Sequence, residues 1–212
     1  MPDPALLPFI LFFGFLLMFG AILRFAAISA RKAEENMLRL AGDLGLTAQP
    51  APRKWIFRGF PGAAGVIRGK PVKLYNFTTG SGKSRVTWAA VAVTSAATGG
   101  LKFKLSRQGL GTKVMELFGT KEVQVGDPQF DREWFIQTNQ PEFFAAALLP
   151  EIQQKILPLR GKWELADNVL VYVEQGTFAD NHRCARFATA VGAACDLADI
   201  AEVFARQQTR NA

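Results

Sequence analysis

The sequence predicts an α+β fold: an N-terminal transmembrane helix followed by one domain in which helices pack on a mostly antiparallel sheet. Three observations predict it. Pro4 to Leu23 is twenty residues without a charge, closed by Arg24 and followed by Arg31 and Lys32. From Trp55 onward, apolar residues recur with a period of two between glycine-rich turns. The chain then closes on a long stretch with the three-four apolar spacing of a helix.

The first element is the span. At about 1.5 Å of rise per residue, twenty apolar residues cover roughly 30 Å, the hydrocarbon thickness of a bilayer. Pro8 lies near the start of the helix, where a missing amide donor costs least, and Gly14 and Gly20 form no GxxxG pair. A cleaved signal is the rival reading, with Ile28-Ser29-Ala30 offering small residues for cleavage. The apolar run exceeds a signal core of roughly 7 to 15 residues, and Asp3 stands where a signal carries Lys or Arg. An uncleaved anchor is therefore expected. Arg24, Arg31, Lys32 and Arg39 on its C-terminal side place the domain in the cytoplasm and the N-terminus outside, and they are the candidate lipid-facing basic residues. The organisation expected is an anchor over 1–30, a juxtamembrane helix and proline linker over 31–52, and a soluble domain over 53–212.

Arg31 to Leu46 carries Met37, Leu38, Leu40, Ala41 and Leu44 on a helical stripe, which ends before Gln49-Pro50-Ala51-Pro52 because each proline pushes its predecessor toward extended backbone. Trp55–Phe60, Ala64–Arg68, Pro71–Phe77, Arg85–Thr94 and Leu101–Leu105 read as consecutive strands of a meander. Leu101, Phe103 and Leu105 alternate with Lys102 and Lys104, predicting one buried and one basic face; the run through Trp88, Ala90, Val91 and Val93 is apolar on both sides and predicts a central strand. A helix over Gly111–Phe118 and a strand over Glu133–Gln137 follow. Pro141 opens a helix through Leu149, capped by Asn139 or Gln140, and Pro150 restarts it through Leu157. Trp163–Leu165 and Val169–Glu174 form a hairpin over Asp167-Asn168. From Asp180, Cys184, Phe187, Ala188, Val191, Cys195 and Ala198 make the buried stripe of the last helix. Arg183, Arg186, Glu202 and Arg206 hold its other side, with Glu202 and Arg206 paired at i, i+4 and Ala188 and Gly192 allowing close approach.

Charge divides the chain. Residues 31 to 125 hold 16 Lys and Arg against 5 Asp and Glu, and residues 126 to 212 hold 8 against 12. A basic half beside a membrane anchor suits anionic headgroups, although the two halves can also neutralise each other within one domain or between subunits. Aromatics interleaved with basic residues on one strand face or recognition helix are not evident, so nucleic acid is not an expected partner.

Gly80-Ser81-Gly82-Lys83-Ser84 looks like the end of a phosphate loop, but Phe77 stands where that pattern needs its first glycine, and Arg85-Val86-Thr87-Trp88 favours a strand over the required helix. A hairpin turn accounts for the glycines. Asp127 and Asp131 in Gly126-Asp127-Pro128-Gln129-Phe130-Asp131, with Arg132 beside them, are candidates for a functional segment; the same pattern opens a turn, with Asp127 accepting amides and Phe130 plugging the core. His182 is the sole histidine, and Cys184 and Cys195 on one helix are about 16 Å apart, beyond disulfide reach. No metal set, no nucleophile with a base, and no cofactor motif is implied.

Residues 113 to 158 run as a helix, GDPQFDREWFI, then the proline-initiated QPEFFAAALLPEIQQKIL. This order resembles uncharacterised bacterial single-pass membrane proteins with a GDPxFDRxF-like segment, with the likeness extending back to Gly59–Phe77. Leu149 departs from the polar cap expected before Pro150. The resemblance implies location and domain type and transfers no activity. The expectation is a membrane-anchored interaction or accessory protein, a subunit or scaffold of a bacterial inner-membrane assembly, contacting the bilayer and a protein partner or a second copy of itself. The alternatives are a tethered ligand- or metal-binding domain or enzyme using Asp127 and Asp131, and a sensor of anionic lipid.

Overall fold

The computed structural model describes residues 7–54, 57–108 and 123–211. The expected helix over Gly111–Phe118 lies outside these. The elements are α1 (Leu7–Asp43), β1 (Thr47–Gln49), β2 (Arg53–Lys54), β3 (Phe57–Arg58), β4 (Gly62–Ile67), β5 (Lys70–Thr79), β6 (Val86–Thr94), β7 (Phe103–Arg107), α2 (Pro128–Glu133), β8 (Trp134–Thr138), α3 (Pro141–Ala147), α4 (Pro150–Ile156), β9 (Lys162–Ala166), β10 (Val169–Gln175) and α5 (Asn181–Asn211).

Eight strands form one antiparallel sheet in the order β1-β4-β5-β6-β10-β9-β7-β8, and β2 pairs β3 separately. The fold class is the expected α+β. One register row crosses seven strands: Ala63, Leu74, Val91, Tyr172, Trp163, Leu105 and Ile136 are each partnered with the next. All seven are buried, which marks this as the face that receives the helices. The adjacent row, Lys73, Ala92, Val171, Glu164, Lys104 and Gln137, points to the other face and is largely polar. Aromatic contacts tie the inner face to the helices: Phe103 meets Phe144 of α3 at 4.6 Å, and Tyr172 meets Phe187 of α5 at 5.2 Å.

The central strand falls on β6 as expected, between β5 and β10. Asp167 and Asn168 both have positive φ, 48° and 64°, the twist that a two-residue hairpin needs. Pro141 and Pro150 open α3 and α4, although Gln140 caps α3 with its backbone position and no side-chain bond.

Four expectations are corrected. The strands do not run on as a five-strand meander: only β4, β5 and β6 do, because β10, apolar on both faces, takes the free side of β6. The more charged β7 is displaced to lie between β9 and β8, where Lys104 pairs Glu164 at 2.8 Å. Of the stretch read as one strand over Trp55–Phe60, Trp55 and Ile56 lie outside the described residues, and Phe57–Arg58 form the short strand β3, paired back to β2, with the Gly59 amide closing on the Pro52 carbonyl at 2.8 Å. Within 31–52 the stripe residues Met37, Leu40 and Ala41 enter the core together with Ala33, but Leu38, expected beside them, is exposed; β1 forms the sheet's edge. On α5, Ala188 is exposed and a Cβ added to Gly192 would meet nothing within 4 Å; close approach comes from Ala190, Ala193, Ala194, Ala198 and Ala201.

Candidate functional site

Helix α1 has two halves with different neighbours. Its described residues from Leu11 through Ile28 are uncovered, with Leu17 74% and Phe25 76% exposed, whereas from Ala33 the inner side is buried. A contiguous apolar surface of this size is not sustained in water and calls for a bilayer or a protein cover. Leu11–Asp43 is long and apolar enough to cross a membrane, with a mean hydropathy of 2.2 over its most apolar window. At 100° per residue Arg24, Arg31, Lys32 and Arg39 gather on the side opposite Ala33, Met37 and Leu40, and all four are exposed. They are spread along the axis, Arg39 lying about 22 Å beyond Arg24. Asn36 secures the junction: its buried amide donates to the Phe178 carbonyl at 2.8 Å and to Asn181 Oδ1 at 2.9 Å, fastening α1 to the start of α5.

This junction defines which end of the sheet faces the anchor. A cleft of about 320 Å³ lies between Phe25, Ala30 and Ala33 of α1 and Ala51, Phe60 and Thr177. The start of β4 and the end of β10 therefore sit beside the last turns of the uncovered helix. Strands β5 and β6 continue past both. β4 pairs β5 only from Ala63↔Leu74 onward and β10 pairs β6 as far as Gln175↔Trp88, while β5 and β6 pair on to Thr79↔Val86. The result is a short two-stranded arm, two residue pairs longer than β10 and five longer than β4, tipped by Gly80-Ser81-Gly82-Lys83-Ser84, with the Gly176 amide closing on the Thr87 carbonyl at 2.8 Å at its base. That tip holds a single turn of 3-10 helix over Gly82–Ser84. Gly80, at φ +76, packs so closely on the Ser84 carbonyl that a Cβ there would stand 2.4 Å from it. Among the described residues no helix follows to receive phosphate.

The GDPQFD segment is engaged by its own backbone. Asp127 Oδ1 accepts from the Gln129 and Phe130 amides at 2.8 and 3.1 Å, capping α2. Asp131 accepts from the Val125 amide at 2.9 Å through Oδ1 and from Gly126 at 3.0 Å through Oδ2. Phe130 is buried and stacks on Trp134 at 6.2 Å, and Arg132 is exposed. The structure thus brings the two aspartates into one turn but directs their oxygens to main-chain amides. Among the described residues, no three His, Cys, Asp or Glu side chains converge in a way that could hold a metal ion. His182 is exposed, its amide bonded to the Asp180 cap at 2.9 Å. Cys184 and Cys195 are free thiols, and burial pushes both up from the ordinary thiol range.

Charged residues instead concentrate on α5. Near the anchor, buried Glu174 accepts from Arg186 Nε at 3.1 Å, faces Arg183 Nε at 3.3 Å and receives the Tyr172 hydroxyl at 3.1 Å. Tyr172 Oη also accepts the Arg160 and Gly161 amides at 3.2 and 3.0 Å. Burial, then the Glu174 charge, raises the Tyr172 phenol well above its usual range. At the far end, buried Lys70 meets Asp199 at 3.0 Å and Glu202 at 2.5 Å, and Arg68 bridges Asp196 and Asp199. Burial opposes ionisation of Glu202, but Lys70, the Ala96 amide and Ser95 outweigh it and lower its pKa. These contacts replace the expected Glu202–Arg206 pair and turn Arg183 and Arg186 inward, because long side chains that reach a buried opposite charge satisfy it better than a solvated neighbour would. Beside the far cluster runs an apolar groove of about 440 Å³ lined by Leu149, Ile152, Ile200 and Val203 and edged by Lys155 and Asp199. Leu149, which departs from a polar cap, is 54% exposed on it.

No family model matches the chain. No curated protein matches it. Among solved structures it is similar to the crystal structure of the mycobacterial trehalose monomycolate transport factor A, TtfA, with a TM-score of 0.53 at 10% identity over 80% of this chain and 94% of that one. At that identity the likeness is one of fold.

The sequence reading missed both buried clusters and the groove. Glu174 was marked by parity: Leu170, Tyr172 and Glu174 alternate on one face of β10, so the glutamate had to point inward with the first two. Lys70 was marked in the same way, alternating with Val72 and Leu74 on the inner face of β5, but its carboxylate partners on α5 were not.

Proposed function

We propose that this protein is a single-pass, membrane-anchored accessory protein, a subunit or scaffold of a bacterial inner-membrane assembly, with its N-terminus outside and its α+β domain in the cytoplasm. The observation that carries the reading is the continuity of α1. One helix is uncovered over its apolar half and forms part of the domain core over its other half, so the domain is held in a set pose close to the bilayer rather than tethered loosely. Such a pose suits a protein that presents a surface to other membrane components. The groove between α4 and α5 is that surface: it lies at the end of the sheet away from the anchor, is apolar at its centre and carries both charge signs at its edge. A protein of the same fold that serves as a transport factor for trehalose monomycolate is compatible with this role.

The test is gentle detergent extraction of the tagged full-length protein from its native membrane, with native-size analysis and mass spectrometry. A stoichiometric partner or a homo-oligomer is expected, lost in Leu149→Asp and Val203→Asp variants that keep the thermal midpoint of the parent. A monomer that reproducibly runs alone would count against the reading. Topology is checked separately: protease added to spheroplasts is expected to leave the domain intact, and its digestion would reverse the assignment.

A further inference from the structure

We propose that the β5–β6 arm is a second membrane contact, laying Tyr75, Phe77 and Trp88 against the interface of the bilayer that α1 crosses and placing Lys83 and Arg85 among its anionic headgroups. This rests on the anchored reading above and adds to it a lipid-binding surface in the domain.

Reach comes first. Ala30 of α1 lies across the cleft from Phe60, and Ala63, three residues or about 10 Å further along the chain, is the partner of Leu74. From Ala30 back to Arg24, where the uncharged stretch begins, is six residues of helix, about 9 Å. From Leu74 out to Thr79 is five residues of strand, about 16 Å in the same direction. The last strand pair thus reaches about 6 Å past Phe60, and the Gly80–Ser84 turn extends from there toward the level of Arg24, the edge of the span.

The chemistry is that of an interface. Tyr75, Phe77 and Trp88 share the face of the sheet opposite the helices, since Phe77 and Trp88 are register partners and Tyr75 lies two residues along. All three are half-buried, and the Tyr75 and Phe77 rings lie 5.9 Å apart. Trp88 Nε1 donates to Thr79 Oγ1 at 2.8 Å, and Lys162 Nζ stands 5.4 Å over the indole. Amphipathic rings backed by cations are the composition that membrane–water interfaces select. Lys83 and Arg85 at the tip are exposed, and among the described residues neither has an ion-pair partner.

Charge commits the surface to an anionic occupant. From residue 44 to residue 115 the sequence contains no Asp or Glu and twelve Lys and Arg. Arg68, Lys70, Lys104 and Arg107 find carboxylates in the second half of the chain. Those at the arm are left without one, on the side where the chain's own helix enters the bilayer.

The test uses the full-length protein in a Trp55→Phe background, reconstituted into vesicles of phosphatidylcholine and phosphatidylglycerol with or without bromine on the acyl chains near the headgroup. Trp134 and Trp163 are each 1% exposed, so Trp88 is the indole that lipid can reach. Bromolipid is expected to quench a substantial fraction of the emission, and Trp88→Phe is expected to abolish that fraction. Lys83→Glu with Arg85→Glu, on an exposed turn, is expected to halve the quenching or more, as is raising salt. Emission that is identical with and without bromine, in a protein that resists carbonate extraction, would overturn the contact alone. A protein that carbonate removes from the vesicles would overturn the anchor and the contact together.

Discussion

Two buried ion clusters fasten α5 to the sheet, one near the anchor and one at the far end, and they are built with opposite charges at the centre. Near the anchor a glutamate, Glu174, is enclosed by Arg183 and Arg186, whose side chains are 14% and 19% exposed. At the far end a lysine, Lys70, is enclosed by Glu202 and Asp199, which are 23% and 42% exposed. The first cluster is the drier and shares its carboxylate with a buried tyrosine; the second is more open to water on its acidic side. Solvent screens the second more than the first, so two arrangements with similar contacts differ in what they contribute. The drier cluster also sits at the Asn36 junction, where the membrane helix meets the domain. The better-enclosed cluster thus lies where α1 meets the domain, and the more exposed one lies beside the groove.

The largest effect is expected at the glycine beneath the drier cluster. A Cβ on Gly161 would stand 2.0 Å from the Val173 carbonyl and 2.6 Å from the Tyr172 ring, so Gly161→Ala is expected to cost about 3 kcal/mol or to prevent folding. Gly99→Ala, where φ is +57° and the Cβ would meet Ala205 Cα at 2.8 Å, is the far-end counterpart and is expected to cost about 2 kcal/mol. Equal losses in urea denaturation would erase the contrast between the ends.

Next come the central charges. Glu174→Ala leaves the Arg186 guanidinium without its carboxylate and Arg183 with only Asp180 and the Thr177 carbonyl, and is expected to cost about 3 kcal/mol. Lys70→Met leaves carboxylates that water can reach and is expected to cost about 1 kcal/mol. Denaturant midpoints of the two variants decide it, and a costlier Lys70→Met would reverse the ranking.

A smaller effect, about 1 kcal/mol, is expected from Tyr172→Phe, which removes the acceptor of the Arg160 and Gly161 amides. Its signature is in pH. Because the folded phenol titrates above its unfolded value of 10, its contribution is fully present below pH 10 and is lost as pH rises above it. Wild type should lose thermal stability over that alkaline range, and Tyr172→Phe should lose less.

The smallest effect is on the acid side. Glu202 titrates below its unfolded value of 4.5, so its contribution is present above that pH and is lost as pH falls through the folded value. Glu202→Gln should flatten the midpoint-against-pH curve below 4.5 by less than about 1 kcal/mol, given its partial exposure. No change in slope would show that ionisation of Glu202 adds nothing to stability.

Much of the fold was legible where one residue pattern has one physical outcome. Asp167-Asn168 between two apolar runs makes a hairpin because both residues tolerate positive φ, and Pro141 and Pro150 start helices because they lack the amide that a first turn leaves idle. The order of strands was not legible. Period two shows that β7 has an inner and an outer face, but choosing its neighbour depends on Lys104 meeting Glu164, sixty residues away in the chain. The candidate site divided in the same way. The turn around Asp127 and Asp131 is local chemistry and was open to reading, whereas the arm, the groove and the two clusters are built from residues distant in sequence.

By itself, the sequence determined the uncharged stretch over Pro4 to Leu23, the α+β class, the helix starts and the unequal division of charge, since each depends on composition or on residues within a turn or two of one another. Tertiary structure decided that α1 continues into the core, that Arg183 and Arg186 turn inward to Glu174, and that the β5–β6 arm projects toward the anchor. Those outcomes depend on which surfaces lose water together. Desolvation is a property of the assembled layers, and no window along the chain contains it.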